Sequence, residues 1–321
     1  MMETGLGNDL NLAISLLQKG EVVAIPTETV YGLAANGLND SAIQKIFTAK
    51  NRPLTNPLIL HFPDIDAILQ YVDEFPAELQ KLTSELWPGP LTILLKKSKL
   101  VPDIITAGQD RVAVRIPSHP VTLELLKKIN FPLAAPSANP YGMISPTKPQ
   151  HVLQQLSGRI SYILDGGECK KGLESTIIGV ENGEIILYRF GSISVETIEN
   201  ITNQKVIVKN HSENIPVTSG MVKHHYAPST PLYFIDEHKI NIDKENDGFI
   251  FFKEDFLGVN HKIILSESGD LEEAAQRLYD SLHLMDHKNY RKILIDKFPN
   301  IGLGRSINDR LQRATSKFKK L

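Results

Sequence analysis

A chain of 321 residues with 41% hydrophobic and 22% charged content has the make-up of a soluble protein with room for two domains. Its formal net charge of -2 excludes a broad basic coat for gripping a nucleic-acid duplex but leaves room for a local basic cleft. One cysteine, Cys169, excludes a disulfide framework or cysteine-rich zinc module. With no secretory-type N-terminus and no apolar run near the roughly 18 residues that cross a bilayer, a cytoplasmic protein is expected.

Asn8 or Asp9 is placed to cap a helix with Leu10, Ala13, Ile14 and Leu17 on one face, stopped by Gly20. The apolar run 22–25, ending at Pro26, reads as a buried strand. Asn39 or Asp40 opens the next helix, which carries Ala42, Ile43, Ile46 and Phe47. Further strands are expected at 58–62, 91–95, 112–116, 133–135 and 162–164, with helices at 77–86, 121–129 and 150–156. Strands 176–180 and 185–188 flank Asn182-Gly183, a hairpin signal. The pattern is α/β with a mixed sheet, and strand order does not follow from it.

From 204 to 230 the periodicity fades into Asn, Ser, His, Thr, Gly and Pro, which reads as a linker. A second alternation then places strands at 232–235, 249–252, 263–265 and 292–295. A long helix is capped by Asp270 with Glu273 in a capping box, and a last helix covers 306–314. The expected division is a larger α/β domain at 1–207, a linker or lid at 208–230 and a smaller α/β domain at 231–321.

Several motifs fail. Gly302-Leu-Gly304 lacks the third glycine of a dinucleotide fingerprint, and no Walker-type loop occurs. His283 and His287 have the spacing of a metal pair, but Leu284 stands beside them and a solvated helix end is expected. His224-His225 lacks metal-ligand company, so no metal cage is expected.

Five loops at predicted strand ends carry the chemistry. Residues 26–33, Pro-Thr-Glu-Thr-Val-Tyr-Gly-Leu, form either a hydroxyl-bearing ligand turn or a helix-capping turn. In 50–57, Lys50 and Arg52 sit on a proline-stiffened segment suited to phosphate oxygens, or to plain solvent. Arg111 and Arg115 share one side of a strand. Arg115 lies among apolar neighbours and needs an anion, either a structural carboxylate or a ligand's. The fourth loop, 135–140 followed by 141–147, sets hydroxyls and an amide at a strand end and could act as a lid; the fifth is 172–176, with Arg189 nearby. Together they describe a cleft of cations and hydroxyls with no protein nucleophile, which suits phosphoryl or nucleotidyl transfer by positioning and charge stabilisation.

Pro-Thr-Glu-Thr-Val-Tyr-Gly-Leu (26–33), Lys-Asn-Arg-Pro (50–53), Val-Ala-Val-Arg-Ile-Pro (112–117), Ala-Pro-Ser-Ala-Asn-Pro (135–140) and Glu-Ser-Thr-Ile (174–177) resemble the YrdC-like threonylcarbamoyl-AMP synthases. His225-Tyr226-Ala227-Pro228 and the 302–310 string resemble the linker and C-terminal signatures of two-domain members. The resemblance implies a twisted open sheet around a concave electropositive cleft, plus a Rossmann-like second domain. It implies synthesis of threonylcarbamoyl-AMP from L-threonine, bicarbonate and ATP, for a partner complex that transfers the group to tRNA. Thr29, His61, Arg115, Ala135 and Ser175 would contact threonine. Arg52, Asn56, Arg111, Ser137, Ser145, Arg189 and Tyr226 would contact ATP. Lys50 and Asn139 would complete the Lys-x-Arg and Ser-x-Asn pairs, so that Lys50, Arg52, Ser137 and Asn139 form the catalytic set. Mg2+ would be held by phosphates and water. The sequence departs from the family pattern at Ala34, Gly179, Phe190 and Ser219, where Gly, Asp, Pro and Pro are usual.

Two rivals stand beside this reading. Carbamoyltransferases of hydrogenase maturation contain a related domain, but their zinc-finger module needs cysteines that Cys169 alone does not supply. A non-catalytic RNA-binding protein would use the basic groove, with salt-dependent affinity and no need for threonine. The intact Lys50, Arg52, Ser137 and Asn139 favour catalysis, with weak RNA contact at most and no membrane association.

Overall fold

The computed structural model describes residues 3–210, 218, 225–237 and 241–319. In chain order they form β1 Gly5–Gly7, α1 Leu10–Gln18, β2 Val23–Ile25, β3 Gly32–Asn36, α2 Asp40–Lys50, β4 Ile59–His61, α3 Ile65–Leu69, α4 Gln80–Leu86, β5 Leu91–Lys96, α5 Asp103–Thr106 and β6 Arg111–Arg115. Next come α6 Pro120–Lys128, β7 Leu133–Ala134, α7 Pro149–Leu156, β8 Tyr162–Leu164, β9 Thr176–Glu181, β10 Glu184–Arg189, α8 Val195–Thr202 and β11 Ile207–Val208. The second domain holds β12 Leu232–Phe234, β13 Gly248–Phe251, β14 Lys262–Ile264, α9 Leu271–Asp286, β15 Ile293–Ile295 and α10 Leu303–Ser316.

The first domain is built on an 11-stranded mixed sheet in the order β1-β8-β2-β3-β7-β4-β6-β5-β9-β10-β11. Parallel pairs such as β4 with β6 alternate with antiparallel ones such as β5 with β6, as the mixed pattern predicts. The second sheet is wholly parallel, β12-β15-β13-β14, with α9 and α10 packed together beside it. Strands such as Val23–Ile25 and Ile293–Ile295 are buried along their whole length, as expected for strands covered on both faces.

Caps fall where the sequence places them. Asp9 accepts the Leu12 amide, Asn39 accepts those of Ser41 and Ala42, and Gly20 takes a φ of +75° just past α1. Asp270 caps α9 by accepting the Glu272 amide. The expected capping box is not direct, because Glu273 accepts from Ser266 Oγ, which in turn accepts the Asp270 amide. The helix expected over 77–86 begins as a tight turn at Ala77–Leu79 before α4. Strand β3 replaces part of what reads as a polar loop. It closes antiparallel on β2 and β7, where cross-strand pairing decides the conformation and no local pattern announces it. Most of the expected linker, including His224 and Ser219, lies outside the described residues, while Ile207–Val208 extends the first sheet.

The two domains share a core. Val30, Ile144 and Leu173 from the first pack with Leu232, Ala274, Leu278 and Ile307 from the second, joined by Tyr226 and Ala227. Gly172, at φ +73°, makes this approach possible, since a Cβ there would stand 2.4 Å from the Gln276 carbonyl oxygen on α9.

Candidate active site

Where the ends of β2, β4, β6 and β7 meet the start of β9 and the end of β10, the chain leaves a small cavity of about 40 Å³. Thr29, Val30, Arg52, Ile59, His61, Arg115, Ala135, Pro136, Ser137, Glu174, Ser175, Arg189, His225 and Tyr226 line this space.

The turn after β2 is tied by Thr27, whose Oγ1 donates to the Val30 carbonyl at 2.6 Å and accepts the amides of Thr29 and Val30. It links two antiparallel strands, so the helix-capping alternative is ruled out. His61 ends β4, with Nδ1 3.2 Å from the Ile59 carbonyl oxygen. Burial, and then the nearby Arg115 charge, push its pKa down to about 3, so the ring is a neutral lining group.

Lys50 and Arg52 are 1% and 7% exposed, which overturns the solvated-turn alternative. Arg52 donates Nη2 to Asn56 Oδ1 and to the Pro57 carbonyl, each at 2.9 Å, and burial brings its pKa down to about 10. Asn56 in turn donates to the Tyr141 hydroxyl at 3.0 Å, so it fixes Arg52 from outside the lining. Lys50 Nζ donates to the carbonyls of Ser137 and Asn139, and burial, then Arg52, hold its pKa well below the ordinary lysine value. Lys50 therefore braces the Ser137–Asn139 turn from behind the cavity. Asn139 donates to the Pro140 and Met143 carbonyls, while its buried Oδ1 has no partner among the described residues.

Arg115 answers the question posed by its apolar strand. Nη2 pairs with Glu28 Oε1 at 2.6 Å and Nε donates to the Gly89 carbonyl at 3.3 Å, while the residue also lines the cavity. The structural carboxylate exists, in the same 26–33 string that supplies Thr29. Arg111 sits roughly 13 Å along β6 by strand geometry. There it bonds the Tyr188 hydroxyl at 3.1 Å and lies 3.6 Å from Glu181, outside the lining.

Arg189 donates Nε and Nη2 to the Ser175 carbonyl at 3.1 and 2.9 Å, and Nη2 to Ser175 Oγ at 3.0 Å; Thr92 holds the same hydroxyl at 2.6 Å. Gly191 allows this fit, because a Cβ there would meet the Thr176 nitrogen at 2.3 Å. Ser145, also outside the lining, donates to Glu174 Oε1 at 2.6 Å. Tyr226 closes one wall at a φ of +65°, and its hydroxyl, like His225 Nδ1, is buried without a hydrogen-bond partner among the described residues.

All five expected threonine contacts therefore meet in one cavity with Arg52, Ser137, Arg189 and Tyr226. Lys50, Asn56, Asn139 and Ser145 stand behind it, and Arg111 stands apart. Sequence reasoning assigned no role to Glu174 or to the lining contributed by Val30, Ile59, Pro136 and His225. The solvated-helix reading of His283 also fails. It is buried against His151, with ring centroids 3.9 Å apart and Nε2 3.2 Å from the Ser145 carbonyl oxygen. Among the described residues no cluster of His, Cys, Asp or Glu could hold a metal, and no helix is long and apolar enough to cross a membrane. Gly179, one departure from the family pattern, packs where a Cβ would stand 3.0 Å from the Tyr188 ring and 3.1 Å from the Leu94 carbonyl oxygen. The usual Asp would require that ring to move.

Guanidinium groups, hydroxyls and a neutral imidazole gathered at the strand ends of a mixed sheet, with a smaller parallel sheet packed alongside, define a two-domain α/β enzyme that positions small anionic reactants. The chain belongs to the threonylcarbamoyl-AMP synthase family. A family model described as "Telomere recombination" matches residues 15–191, and one described as "Threonylcarbamoyl-AMP synthase, C-terminal domain" matches 193–316. The chain is 37% identical over 320 residues to the threonylcarbamoyl-AMP synthase of Pyrococcus abyssi, covering 95% of this chain and 94% of that one. With the Bacillus subtilis enzyme of the same name it shares 38% over 317 residues, covering 94% and 91%. Its structure is similar to the crystal structure of P. abyssi Sua5 complexed with L-threonine, with a TM-score of 0.88, 33% identity and 98% of each chain covered.

Proposed function

We propose that the protein joins L-threonine, bicarbonate and ATP into threonylcarbamoyl-AMP and pyrophosphate, for later transfer to tRNA by a separate enzyme complex. The observation that carries this reading is the convergence of Thr29, His61, Arg115, Ala135 and Ser175, from five separate chain segments, on one cavity beside Arg52, Ser137 and Arg189. Two buried polar atoms on the Tyr226 side, the tyrosine hydroxyl and His225 Nδ1, have no partner among the described residues and mark where a ligand would complete the hydrogen bonding.

In the reaction, the threonine nitrogen bonds to the bicarbonate carbon and water leaves. A carbamate oxygen then bonds to the α-phosphorus as the bridging P–O bond to pyrophosphate breaks. Arg115, oriented by Glu28, is placed to hold the threonine carboxylate, with Ser175 and Thr29 offering hydroxyls and neutral His61 forming a wall. Arg52 and Arg189 face the phosphates as charge stabilisers, and Ser137 lies between the two substrates. Lys50, Asn56, Asn139 and Ser145 support that frame. Arg111, already engaged by Tyr188 and Glu181, is the ATP contact with the least geometric support. The cavity presents guanidiniums rather than spare carboxylates, so its residues do not fit a resident magnesium site; the ion would arrive on the nucleotide phosphates. We place the enzyme in the cytoplasm, without membrane association.

The test is pyrophosphate release from ATP with threonine or bicarbonate omitted in turn, with the adenylate detected by mass spectrometry. Release that ignores both omissions overturns the proposal.

A further inference from the structure

The C-terminal signature at 302–310 ends in Arg310, a residue the reaction above does not use. It is 1% exposed and reaches out of α10 into the first domain. Its Nε donates to Glu174 Oε2 at 2.9 Å, its Nη1 to Asp309 Oδ2 at 2.6 Å, and its Nη2 to the Phe190 carbonyl. Its guanidinium carbon lies 4.8 Å from the centre of the Tyr226 ring. One side chain of the second domain thus touches the neighbour of Ser175, the neighbour of Arg189, and the lid tyrosine.

Glu174 lines the cavity beside Ser175 and Arg189. Its carboxylate is held off by three groups: Arg310, the Tyr279 hydroxyl at 3.0 Å from α9, and Ser145 Oγ. Burial pushes this carboxyl up, but Arg310 first and Arg189 second outweigh it and hold it below the usual carboxylate range. Two guanidiniums thus compete for one buried carboxylate, and the geometry gives it to Arg310. Arg189 keeps its Nε and Nη2 on Ser175.

We propose that Arg310 is a positioning residue for the nucleotide half of the site: by engaging Glu174 from the second domain, it keeps that carboxylate from drawing Arg189 off the phosphates. This gives the second domain a part in the reaction beyond covering the first, and it rests on the proposed function. Without Arg310, Arg189 is the guanidinium whose charge acts most strongly on Glu174, and an acid would then sit against the phosphate path. An Arg310 that merely cemented the domain interface would predict damage that no change at Glu174 repairs. The competition reading predicts that neutralising Glu174 repairs it.

The experiment uses the full chain and measures pyrophosphate release at saturating threonine and bicarbonate, with threonine binding followed separately by calorimetry. Wild-type protein is assayed first: absence of threonine-dependent release overturns the proposed function, and this inference with it. Given wild-type turnover, Arg310→Met is expected to lower kcat by about tenfold or more while threonine Kd moves less than about threefold. Adding Glu174→Gln to Arg310→Met is expected to restore at least about fivefold of that loss. Arg310→Lys, which keeps the charge but not the fork of donors, should fall between. If Arg310→Met does not fold, the double variant and Arg310→Lys carry the comparison, with the double variant expected to be at least as active as the lysine form. No recovery in the double variant, or a fall in threonine affinity that matches the fall in kcat, overturns the inference.

Discussion

Glu28 Oε1 lies 2.6 Å from Arg115 Nη2, both side chains under a tenth exposed, so the carboxylate of the first motif loop holds the arginine at the end of β6. The other Glu28 oxygen accepts the Ser118 amide at 3.1 Å. Both partners are therefore fixed, and the pair orients a cavity-lining guanidinium without filling the cavity.

Breaking this pair has two consequences. Removing one partner of a buried ion pair strands the other, which costs about 3–5 kcal/mol of stability. Glu28→Ala is expected to show that loss in urea unfolding, together with a rise of about tenfold or more in the threonine KM as Arg115 loses its orientation. Arg115→Ala should abolish threonine binding by calorimetry. Normal threonine affinity in both variants would remove Arg115 from the threonine site.

Asn56 makes a subtler prediction. Its side chain accepts from Arg52 and donates to Tyr141, so it sets the arginine's direction without facing the cavity. A hydrogen bond to a charged group contributes about 1.5–3 kcal/mol. Asn56→Ala should therefore lower kcat/KM for ATP by about tenfold to a hundredfold, less than Arg52→Ala, with threonine binding kept. Equal damage from both variants would mean that Asn56 touches the nucleotide itself.

The absence of a His, Cys, Asp or Glu cluster among the described residues separates two roles for magnesium. If the ion arrives with ATP, as proposed, a chelator is expected to stop turnover and to leave the melting curve of ligand-free protein unchanged. A chelator-induced drop in that melting temperature would reveal a structural metal.

Elements with strong local signals were legible in the sequence. The hairpin at Asn182-Gly183, the helix capped by Asn39 and the buried strands of both sheets lie where periodicity and turn chemistry put them. Strand β3 was not legible, because it is short and its pairing with β2 and β7 is long-range. The motif loops were legible as a site, yet which of their residues face the cavity was not. Lys50 and Asn139 look like ligand groups in the sequence but turn toward backbone carbonyls. Glu28 and Arg310 carry no local mark of their partners, which lie 87 and 136 residues away. Charge pairing across such distances is decided by packing, and packing is what a single sequence encodes least openly.

The buried histidines give a pH signature with a definite sign. His61 and His283 are neutral in the folded protein, burial first and a neighbouring cationic or imidazole group second having lowered both pKa values to about 3. His283 is faced by His151 and His287, by Asp286 on its own helix, and by the Ser145 carbonyl from the first domain. In the unfolded chain each histidine titrates near its ordinary value of about 6.5, so below that pH the unfolded state binds protons that the folded state refuses. The stability gained by keeping these rings neutral is therefore complete above about pH 6.5 and is lost as pH falls toward 3, at about 1.4 kcal/mol per pH unit for each ring. Carboxylates such as Glu174, whose pKa is held below the ordinary value, act only at lower pH, which leaves pH 6 to 5 as a histidine window. His283→Gln keeps a donor for the Ser145 carbonyl but removes one proton site. Urea unfolding between pH 6 and 5 should show it losing about 1 kcal/mol less than wild type. Parallel curves for the two proteins would mean that His283 takes up a proton while still folded.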